Sequence, residues 1–130
     1  MSRRTETRAV DRPAGSHQAE PAAPEISVVV PVFNEEGNLS TLYREISEVL
    51  RGARRSYEIL FVDDGSTDGS FAALGSFHRS DSRVRVVRFR KNFGQTAALA
   101  AGFDFARAPI IVTLDGDLQN DPREIGRAHV

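Results

Sequence analysis

The chain has 130 residues, of which 17 are Lys or Arg and 18 are Asp or Glu, so its formal net charge is −1 and its pI is about 6.3. This length holds one domain at most, and a charge so close to balance gives no basic field that would attract nucleic acid. The chain has no cysteine, which excludes disulfides, thiolate metal sites and a cysteine nucleophile, and no apolar run approaches the roughly 18 residues of a membrane span.

The first 24 residues differ in composition from the rest of the chain. They are rich in Arg, Ala and Pro, carry both signs of charge and show no apolar periodicity. Segments of this kind contribute little apolar surface to a core, so we predict a disordered tail over 1–24 and one folded domain over 25–125.

The folded domain opens with an apolar strand, Ile26–Val32, in which Pro31 lacks a backbone donor and marks where strand pairing stops. Apolar residues then recur at helical spacing as far as Gly52, which predicts an amphipathic helix with Asn38 as its N-cap. These apolar positions are Leu39, Leu42, Ile46, Val49 and Leu50. The pattern predicts a strand–helix unit in which one apolar stripe of the helix lies on the sheet.

A second strand–helix unit and a third strand follow. The predicted strand is Tyr57–Val62, and Ser66 or Thr67 is placed to cap the next helix. The third strand is predicted over 84–89, where arginines interleave with apolar residues, and this pattern indicates an edge strand with one solvent-exposed face. The arginines are Arg83, Arg85 and Arg88.

An alanine-rich helix from Thr96 to about Arg107 leads to the fourth strand, and its small residues permit close packing on a sheet. The run Ile110–Leu114 is rich in β-branched residues and predicts a strand buried on both faces. Four strands alternating with three helices predict an α/β fold with a Rossmann-like parallel sheet and right-handed crossovers. Such sheets bind ligands at the carboxyl ends of their strands, beside the switch in strand order.

Acidic and amide side chains directly follow the fourth strand. Asp115 and Asp117 can place two carboxylates on one cation, with the amide oxygen of Gln119 as a third hard ligand. Gly116 between them leaves room for a ligand to approach the backbone. A solvated acidic turn is the alternative for an isolated Asp-x-Asp, and the motif alone leaves both interpretations open.

Three further groups of polar residues follow the other strands. Asp63 and Asp64 can accept hydrogen bonds from a ribose or a base N–H, or one of them can cap the following helix. Asn34 and Glu35 are either turn residues or polar contacts to a base. The basic pair Arg90-Lys91 is a candidate to meet a diphosphate, although such pairs usually form a solvated face.

Two common phosphate-binding motifs are absent from the sequence. A dinucleotide-binding unit needs Gly-x-Gly-x-x-Gly after the first strand, where this chain has Val32-Phe-Asn-Glu-Glu-Gly37, and a P-loop needs Gly-Lys-Ser/Thr. Without a glycine-rich phosphate cradle, a cation must neutralise any bound phosphates. The acidic residues after the fourth strand are suited to hold it.

Four stretches follow one another in the chain, each at the end of a predicted strand. They are Val29-Val-Pro-Val-Phe-Asn-Glu35, Val62-Asp-Asp-Gly-Ser-Thr-Asp68, Arg90-Lys-Asn-Phe-Gly-Gln-Thr-Ala-Ala-Leu99 and Leu114-Asp-Gly-Asp-Leu-Gln-Asn-Asp-Pro122. In this order they resemble the N-terminal half of a family 2 glycosyltransferase with the GT-A fold of nucleotide-diphospho-sugar transferases. The third and fourth are most similar to the branch that glycosylates polyprenyl phosphates, such as dolichyl-phosphate mannose synthase.

The resemblance implies a role for each group of site residues. It implies that Asp115, Asp117 and Gln119 hold Mg²⁺ or Mn²⁺ against the sugar-nucleotide diphosphate, with the two aspartates as catalytic residues. It also implies inversion at the anomeric carbon by a single in-line displacement, and an anionic lipid phosphate needs no general base. The nucleotide-sugar-binding residues would be Pro31, Asn34, Glu35, Asp63, Asp64, Arg90, Lys91, Asn92, Gly94 and Asp115.

The sequence departs from the family pattern at its end. Family members continue with an acceptor-binding half, whereas residues 125–130 match the translation of a sequencing-adapter read. We therefore expect 126–130 to be a non-native tail and the chain to be the N-terminal part of a longer parent. The expected partners are a nucleotide-sugar donor and a lipid-phosphate acceptor, with the parent at the cytoplasmic face of the membrane.

Two other functions compete with glycosyl transfer. One is a nucleotide-binding module without catalysis, which the missing acceptor half would explain. The other is a phosphotransferase of the haloacid dehalogenase type, whose signature is also Asp-x-Asp. That signature lies on the first strand of its fold, whereas Asp115 and Asp117 follow the fourth strand here.

Overall fold

The computed structural model describes residues 23–114, and it confirms the predicted alternation of strands and helices. The strands are Ile26–Val32 (β1), Tyr57–Asp63 (β2), Val84–Arg88 (β3) and Ile110–Thr113 (β4). The helices are Glu36–Ala53 (α1), Ser70–Ser80 (α2) and Gln95–Phe105 (α3). The predicted tail over 1–24 lies almost wholly outside the described residues, and the predicted non-native tail over 126–130 lies outside them entirely.

The four strands form one parallel sheet in the order β3-β2-β1-β4. From β1 the chain moves outward through β2 to β3, and then returns across the sheet to add β4 on the other side of β1. The direction of strand addition therefore reverses between β1 and β4. In open parallel sheets the crevice at this reversal, outside the carboxyl ends of the strands, is where ligands bind.

The reversal also decides which face each helix covers. Helices α1 and α2 pack on one face, and α3 packs on the other, as crossovers of one hand require. The first core is built from alternate residues of β1 and β2 with the apolar stripe of α1, and includes Val28, Val30, Leu39, Leu42, Ile46, Ile59 and Phe61. The second core lies under α3 and includes Val29, Leu60, Val62, Ala98, Ala101 and Phe105.

The small residues of α3 bring this helix close to the sheet, as predicted. A Cβ atom added to Gly102 would lie 2.2 Å from Cγ1 of Val29, which no real contact tolerates. Gly102 is therefore the point at which α3 touches β1, and only a residue without a side chain fits there.

Pro31 lies within β1 and has no backbone N–H. This absence bears on the pairing of β1 with β4 and leaves its pairing with β2 intact. Pairing with β2 continues past Pro31 to Val32, so the expectation that pairing simply stops there was wrong on this side. On the side of β4, the last bond runs from the N–H of Leu114 to the carbonyl of Val29. The N–H groups of residues two apart in a strand point to the same side. Pro31 therefore occupies the position from which β1 would next donate an N–H toward β4, and it has none to donate.

Two predictions about exposure were wrong. The described part of β4 pairs only with β1, and Ile111 and Thr113 on the face of α3 are exposed, so this edge strand is not buried on both faces. Strand β3 is an edge strand as predicted, but Arg85 is buried because it is bonded to a carboxylate of the neighbouring strand.

The predicted helix caps were also wrong. Helix α1 begins at Glu36, so Asn38 lies inside it, and its amide donates to Glu35 at 3.3 Å. Helix α2 begins at Ser70, beyond Ser66 and Thr67. Both helices start where contacts between neighbouring loops hold the chain, which local cap preferences do not report. None of these helices is long and apolar enough to cross a membrane; this finding covers residues 23–114.

A buried charge network joins the amino-end portions of β1, β2 and β3 to the segment after α3. Glu58 is 2% exposed, and its carboxylate accepts hydrogen bonds from the Ser27 hydroxyl, the Arg85 guanidinium and both the backbone and side chain of Arg107. Arg85 also donates to the carbonyl of Phe105 at 2.9 Å. This network fixes the start of the connection from α3 to β4.

Removing the Glu58 carboxylate should destabilise the fold strongly, because the buried guanidinium of Arg85 would lose an ion pair of 2.8 Å and the Ser27 hydroxyl and Arg107 N–H would lose their acceptor. We expect Glu58→Ala to lower the free energy of unfolding by roughly 3 kcal/mol or more. The matched control is Glu48→Ala on the exposed side of α1, with an expected change within about 0.5 kcal/mol. Urea denaturation measures both; equal losses in the two variants would contradict the assigned role of Glu58.

The same carboxylate should make stability depend on pH. Burial opposes its charge, but hydrogen bonds from Ser27, Arg107 and Arg85 outweigh burial and lower the pKa of Glu58 below its ordinary value of 4.5. A depressed folded-state pKa contributes stability above the unfolded value and loses it as pH falls through the folded value. We expect the free energy of unfolding to fall more steeply below about pH 4.5 in the wild type than in Glu58→Gln. Identical pH profiles would refute this.

Candidate functional site

The predicted nucleotide-binding residues that the structure describes lie together at the carboxyl edge of the sheet. Strands β1 and β2 end in register there, with Val32 opposite Asp63, and the loops after β1, β2 and β3 follow directly. The structure brings to this edge Pro31, Asn34, Glu35, Asp63, Asp64, Arg90, Lys91, Asn92 and Gly94. The predicted metal ligands Asp115, Asp117 and Gln119 lie outside the described residues.

Asn34 joins the loop after β1 to the loop after β2. Its backbone has a φ of 52°, a left-handed conformation that asparagine tolerates better than most residues. In this conformation its N–H donates to the Ser66 hydroxyl at 2.9 Å, and its side-chain oxygen accepts the N–H groups of Thr67 at 2.8 Å and Asp68 at 3.3 Å. The side chain of Asn34 thus connects the loop after β1 to the loop after β2 by hydrogen bonds.

Further hydrogen bonds connect the same two loops at the starts of α1 and α2. The N–H of Glu35 donates to the Ser70 hydroxyl at 3.0 Å, and the N–H of Gly69 donates to the Glu36 carboxylate at 3.0 Å. Asp68 accepts the N–H of Ser70 at 2.8 Å, and hydrogen bonds from Ser70 lower the pKa of this carboxyl. The first residue of each helix therefore accepts the N–H group of the residue just before the other helix.

Sequence analysis missed Ser70, Asp68 and Glu36 as parts of this edge. The sequence pattern that could have identified them is Asp68-Gly-Ser70, because an Asp side chain in a turn often accepts the N–H of the residue two positions later. It also missed Phe33, whose ring is 42% exposed beside Asn34 at the end of β1. A large apolar ring in a polar loop is the signal that would have singled out Phe33.

Asp63 is fully buried, with 0% of its surface exposed, at the end of β2. One carboxylate oxygen accepts the N–H of Ser66 at 3.0 Å. The other oxygen, Oδ2, is buried and has no hydrogen-bond partner in the described part of the chain. A buried acceptor without a donor is costly, so this oxygen is suited to receive an N–H or O–H group from a ligand.

Asp64 is also buried, but both of its carboxylate oxygens are occupied. Oδ1 accepts the N–H of Phe93 at 2.7 Å, and Oδ2 accepts the N–H of Gly94 at 3.0 Å and the side-chain amide of Asn92 at 2.9 Å. The alternative that Asp64 caps the helix directly after it was wrong: it holds the loop that enters α3. Asp63 and Asp64 thus have different surroundings although they are adjacent in sequence.

The loops after β2 and β3 touch at Gly65. This residue has a φ of +77°, and a Cβ added to it would lie 2.3 Å from the carbonyl carbon of Lys91 and 2.5 Å from the nitrogen of Asn92. Only glycine satisfies both the conformation and the contact. The two backbones therefore meet without an intervening side chain.

The basic pair Arg90-Lys91 is exposed on the loop that Asp64 and Gly65 hold. The ammonium of Lys91 lies 5.3 Å from the ring centre of Phe93, which is itself 57% exposed. Exposure leaves both side chains available to an anionic ligand. It is equally what a solvated face would show, so the prediction for this pair stays a prediction.

The described residues do not by themselves form a metal site. Within 23–114, no three His, Asp or Glu side chains converge as a metal-binding group. The residues predicted to bind the metal follow directly in the sequence, as Asp115, Asp117 and Gln119. Their carboxylate and amide oxygens are the donor types that Mg²⁺ and Mn²⁺ prefer.

Adding one methyl group at Gly65 should test the contact between the two loops. We expect Gly65→Ala to lower the free energy of unfolding by about 2 kcal/mol or more, from left-handed strain and overpacking together. The matched control is Gly37→Ala, where the added Cβ meets no atom within 4 Å and alanine favours the helix. Thermal and urea denaturation measure both variants. Tolerance of alanine at both glycines would contradict the described contact.

Several named proteins are similar to this chain over most of its length. It is 43% identical over 102 residues to the dodecaprenyl-phosphate galacturonate synthase of Rhizobium johnstonii. It is 45% identical over 103 residues to the undecaprenyl-phosphate 4-deoxy-4-formamido-L-arabinose transferase of Pseudomonas fluorescens. Each alignment covers 78% of this chain but only 30% of the relative, so the chain spans less than a third of these relatives' length.

Solved structures share the fold at low sequence identity. The mannosyltransferase PcManGT from Pyrobaculum calidifontis, in complex with GDP-Man and Mn²⁺, matches 95% of this chain and 36% of its own with a TM-score of 0.65 and 22% identity. S. aureus TarS 1–349, in complex with UDP-GlcNAc, matches 72% of this chain and 26% of its own with a TM-score of 0.61 and 20% identity. At these identities the likeness establishes the fold alone, which is the GT-A fold.

The family assignment follows from the sequence match over nearly the whole folded part. The glycosyl transferase family 2 model matches residues 27–128, which include all four quoted stretches in full. The parallel sheet and its strand-end loops agree with this match, and the match leaves no ground for a haloacid dehalogenase-type phosphotransferase. The chain belongs to glycosyltransferase family 2, and it corresponds to the N-terminal part of its longer relatives.

Proposed function

We propose that the carboxyl edge of this sheet binds the nucleotide of a nucleotide-sugar donor. We further propose that the whole protein transfers the sugar to a polyprenyl phosphate, with inversion at the anomeric carbon and with the help of a divalent cation. The observation that carries the proposal is the buried carboxylate of Asp63, whose Oδ2 lacks a donor among the described residues.

Asp63 has the chemistry and the position that nucleoside recognition needs. It ends β2 next to β1, one strand from the reversal in strand order where ligands of parallel sheets bind. Its Oδ1 is held by Ser66, so the orientation of the carboxylate is set before any ligand arrives. A base N–H or a ribose hydroxyl would satisfy Oδ2, and charge-assisted bonds of this kind are stronger than neutral ones.

The known proteins support the choice of donor and acceptor. PcManGT is described in complex with GDP-Man and Mn²⁺, and TarS in complex with UDP-GlcNAc. The two relatives above are named for dodecaprenyl phosphate and undecaprenyl phosphate. We extend the nucleotide-sugar donor and the polyprenyl-phosphate acceptor to the whole protein as a proposal.

We propose Asp115, Asp117 and Gln119 as the ligands of the cation, with the two aspartates assisting catalysis through it. A bound Mg²⁺ or Mn²⁺ would neutralise charge that develops on the diphosphate leaving group. The exposed pair Arg90-Lys91 would add positive charge on the other side of the site. The proposal requires no catalytic contribution from a side chain outside these loops.

No general base is needed if the acceptor is a lipid phosphate, because its oxygen is already anionic near neutral pH. The one histidine in the described range, His78, agrees with this. Its Nδ1 lies 2.8 Å from the carbonyl of Val84, which begins β3 at the opposite edge of the sheet. A lipid acceptor also favours action at a membrane surface, and we propose the cytoplasmic face for the whole protein.

The described chain by itself has a second candidate function, nucleotide binding without transfer. The observation that favours it is length, because the chain spans 30% of relatives that are named for the transfer reaction. The two functions share the nucleotide site and differ only in whether an acceptor can be glycosylated. Measurements of nucleotide binding and of sugar transfer together therefore distinguish them.

Calorimetric titration of the chain with UDP and GDP, with and without Mn²⁺, tests the proposed nucleotide site. We expect one nucleotide to bind more tightly with Mn²⁺. Asp63→Asn keeps an acceptor for Ser66 but replaces Oδ2 by an amide donor, so it should weaken this binding by about tenfold or more. Asp117→Ala should remove the gain from Mn²⁺ while leaving metal-free binding in place.

The control for Asp63→Asn is Asp81→Asn, which alters a hydrogen-bonded carboxylate at the end of α2, at the amino edge of the sheet. Its nucleotide affinity should equal that of the wild type. Transfer of labelled sugar to undecaprenyl phosphate by the whole protein, with the anomeric configuration read by NMR, tests the reaction. Failure of every nucleotide to bind would overturn the proposal, and binding without transfer would favour the non-catalytic alternative.

A further inference from the structure

Two buried side chains of β1 and β2 hold the segment that leads from α3 into β4. The Ser27 hydroxyl accepts the N–H of Ala108 at 3.1 Å, and the Glu58 carboxylate accepts the N–H of Arg107 at 2.8 Å. The Ser27 hydroxyl also donates to the Glu58 carboxylate. The bonds to the backbone join residues 81 and 49 positions apart in the sequence. They fix the chain two residues before β4 begins.

Strand β4 itself contains little that fixes its position along β1, which is its register. It has four residues and pairs only with β1 in the described part of the chain. Its two faces are similar: Ile110 and Val112 are partly buried toward α1, and Ile111 and Thr113 are exposed toward α3. Because a shift by one residue exchanges the two faces, burial specifies the register only where the faces differ. The first fully covered side chain is Leu114, directly after the strand.

The register of β4 matters for the residues that come next in the sequence. Asp115 and Asp117 follow Leu114, so any shift of β4 along β1 carries the chain that leads into them. A shift by one residue moves a strand by about 3.3 Å and turns its side chains over. Oxygen ligands bind Mg²⁺ at about 2.1 Å, and binding sites tolerate displacements of only about 0.5 Å. A cation site that follows β4 therefore requires a fixed register.

We propose that Ser27 and Glu58 are positioning residues for the metal-binding aspartates. They hold Arg107 and Ala108 at the amino edge of the sheet, and this sets the register with which β4 reaches the carboxyl edge, about 20 Å further along the strand. Neither residue contacts the nucleotide or the cation. The inference rests on the proposed function, which takes the two aspartates as ligands, and it adds a role for the opposite edge of the sheet.

The surroundings of Glu58 suit this role. Its carboxylate is oriented by an ion pair of 2.8 Å with the buried guanidinium of Arg85. Arg85 also donates to the carbonyl of Phe105, the last residue of α3. The charge of Glu58 strengthens the bond that it receives from the N–H of Arg107. The same buried group therefore fixes the connection from the end of α3 to the start of β4.

Calorimetric titration of Ser27→Ala with UDP and GDP, with and without Mn²⁺, tests the inference. We expect the gain in affinity from Mn²⁺ to fall about fivefold or more, with metal-free affinity within about twofold of the wild type. Because Ser27 acts through the aspartates, Ser27→Ala should change affinity in Mn²⁺ by less than about twofold once Asp117→Ala is present. A general loss of structure would weaken binding equally with and without Mn²⁺, and that result would overturn the inference.

Amide hydrogen exchange reports the attachment without metal or nucleotide. Ser27→Ala should speed the exchange of the N–H groups of Ala108 and Leu114, the second of which is bonded to the carbonyl of Val29. Exchange in the middle of β2 should stay at the wild-type rate. Unchanged exchange at both Ala108 and Leu114 would overturn the inference, whatever the affinities.

The matched control is Ser47→Ala, which removes the hydroxyl of another buried serine. The Ser47 hydroxyl lies in α1 and has no hydrogen-bond partner in the described part of the chain. Ser47→Ala should leave the gain from Mn²⁺ and the exchange of β4 at their wild-type values. If Ser47→Ala changes both as much as Ser27→Ala does, the inference is overturned.

The remaining outcomes each decide a specific point. If Ser27→Ala does not fold, Glu58→Gln replaces it in both measurements, because it keeps the shape of the side chain but removes the charge that strengthens the bond from Arg107. An undiminished gain from Mn²⁺ in Glu58→Gln would then overturn the inference. A wild type whose nucleotide affinity does not respond to Mn²⁺ would overturn the proposed function and this inference together. A wild-type gain that survives in Ser27→Ala would overturn the inference alone.

Discussion

Two neighbouring carboxylates at the end of β2 organise the carboxyl edge, and they can do so because successive side chains of a strand point to opposite faces. Asp63 lies on the side of α1 and α2 and receives the N–H of Ser66. Asp64 lies toward α3 and receives the N–H groups of Phe93 and Gly94. One dipeptide therefore anchors the loops that lead into helices on both faces of the sheet, and the candidate site depends on this division.

A second set of buried hydrogen bonds and ion pairs lies toward the amino edge of the sheet. There the buried Glu58 collects donors from β1, from β3 and from the segment after α3, including Arg85 and Arg107. Helix α3 is thus held at its start through Asp64 and at its end through Glu58, while Gly102 brings its middle onto β1. These hydrogen bonds and contacts orient α3, whose small side chains alone would specify its packing only weakly.

The described part of the chain ends one residue after β4, beside β1, and the residues predicted to bind the metal come next in the sequence. The described pairing of β1 with β4 ends with the bond from the Leu114 N–H to the Val29 carbonyl, and Pro31, two residues further along β1, has no N–H to offer on that side. Leu114, the residue before Asp115, is buried in the core under α1. The buried Leu114 thus holds the end of β4 in the sheet immediately before the Asp-x-Asp motif in the sequence.

The sequence by itself determined the alternation of strands and helices, the parallel sheet, the family and the set of residues at the strand ends, because periodicity and strand-end position are local properties of the chain. Only the tertiary structure decided which partners each of those residues has. Asp63 and Asp64 are the same residue type, and only their hydrogen-bond donors differ. The donor to Asp63 is 3 residues away in the sequence, whereas the donors to Asp64 are 28 to 30 residues away. The burial of Arg85 and the starts of α1 and α2 were misjudged because they are set by partners from distant segments, which no local pattern contains. The exposure of β4 was misjudged because a run of apolar residues does not reveal how much of each strand face the rest of the fold covers.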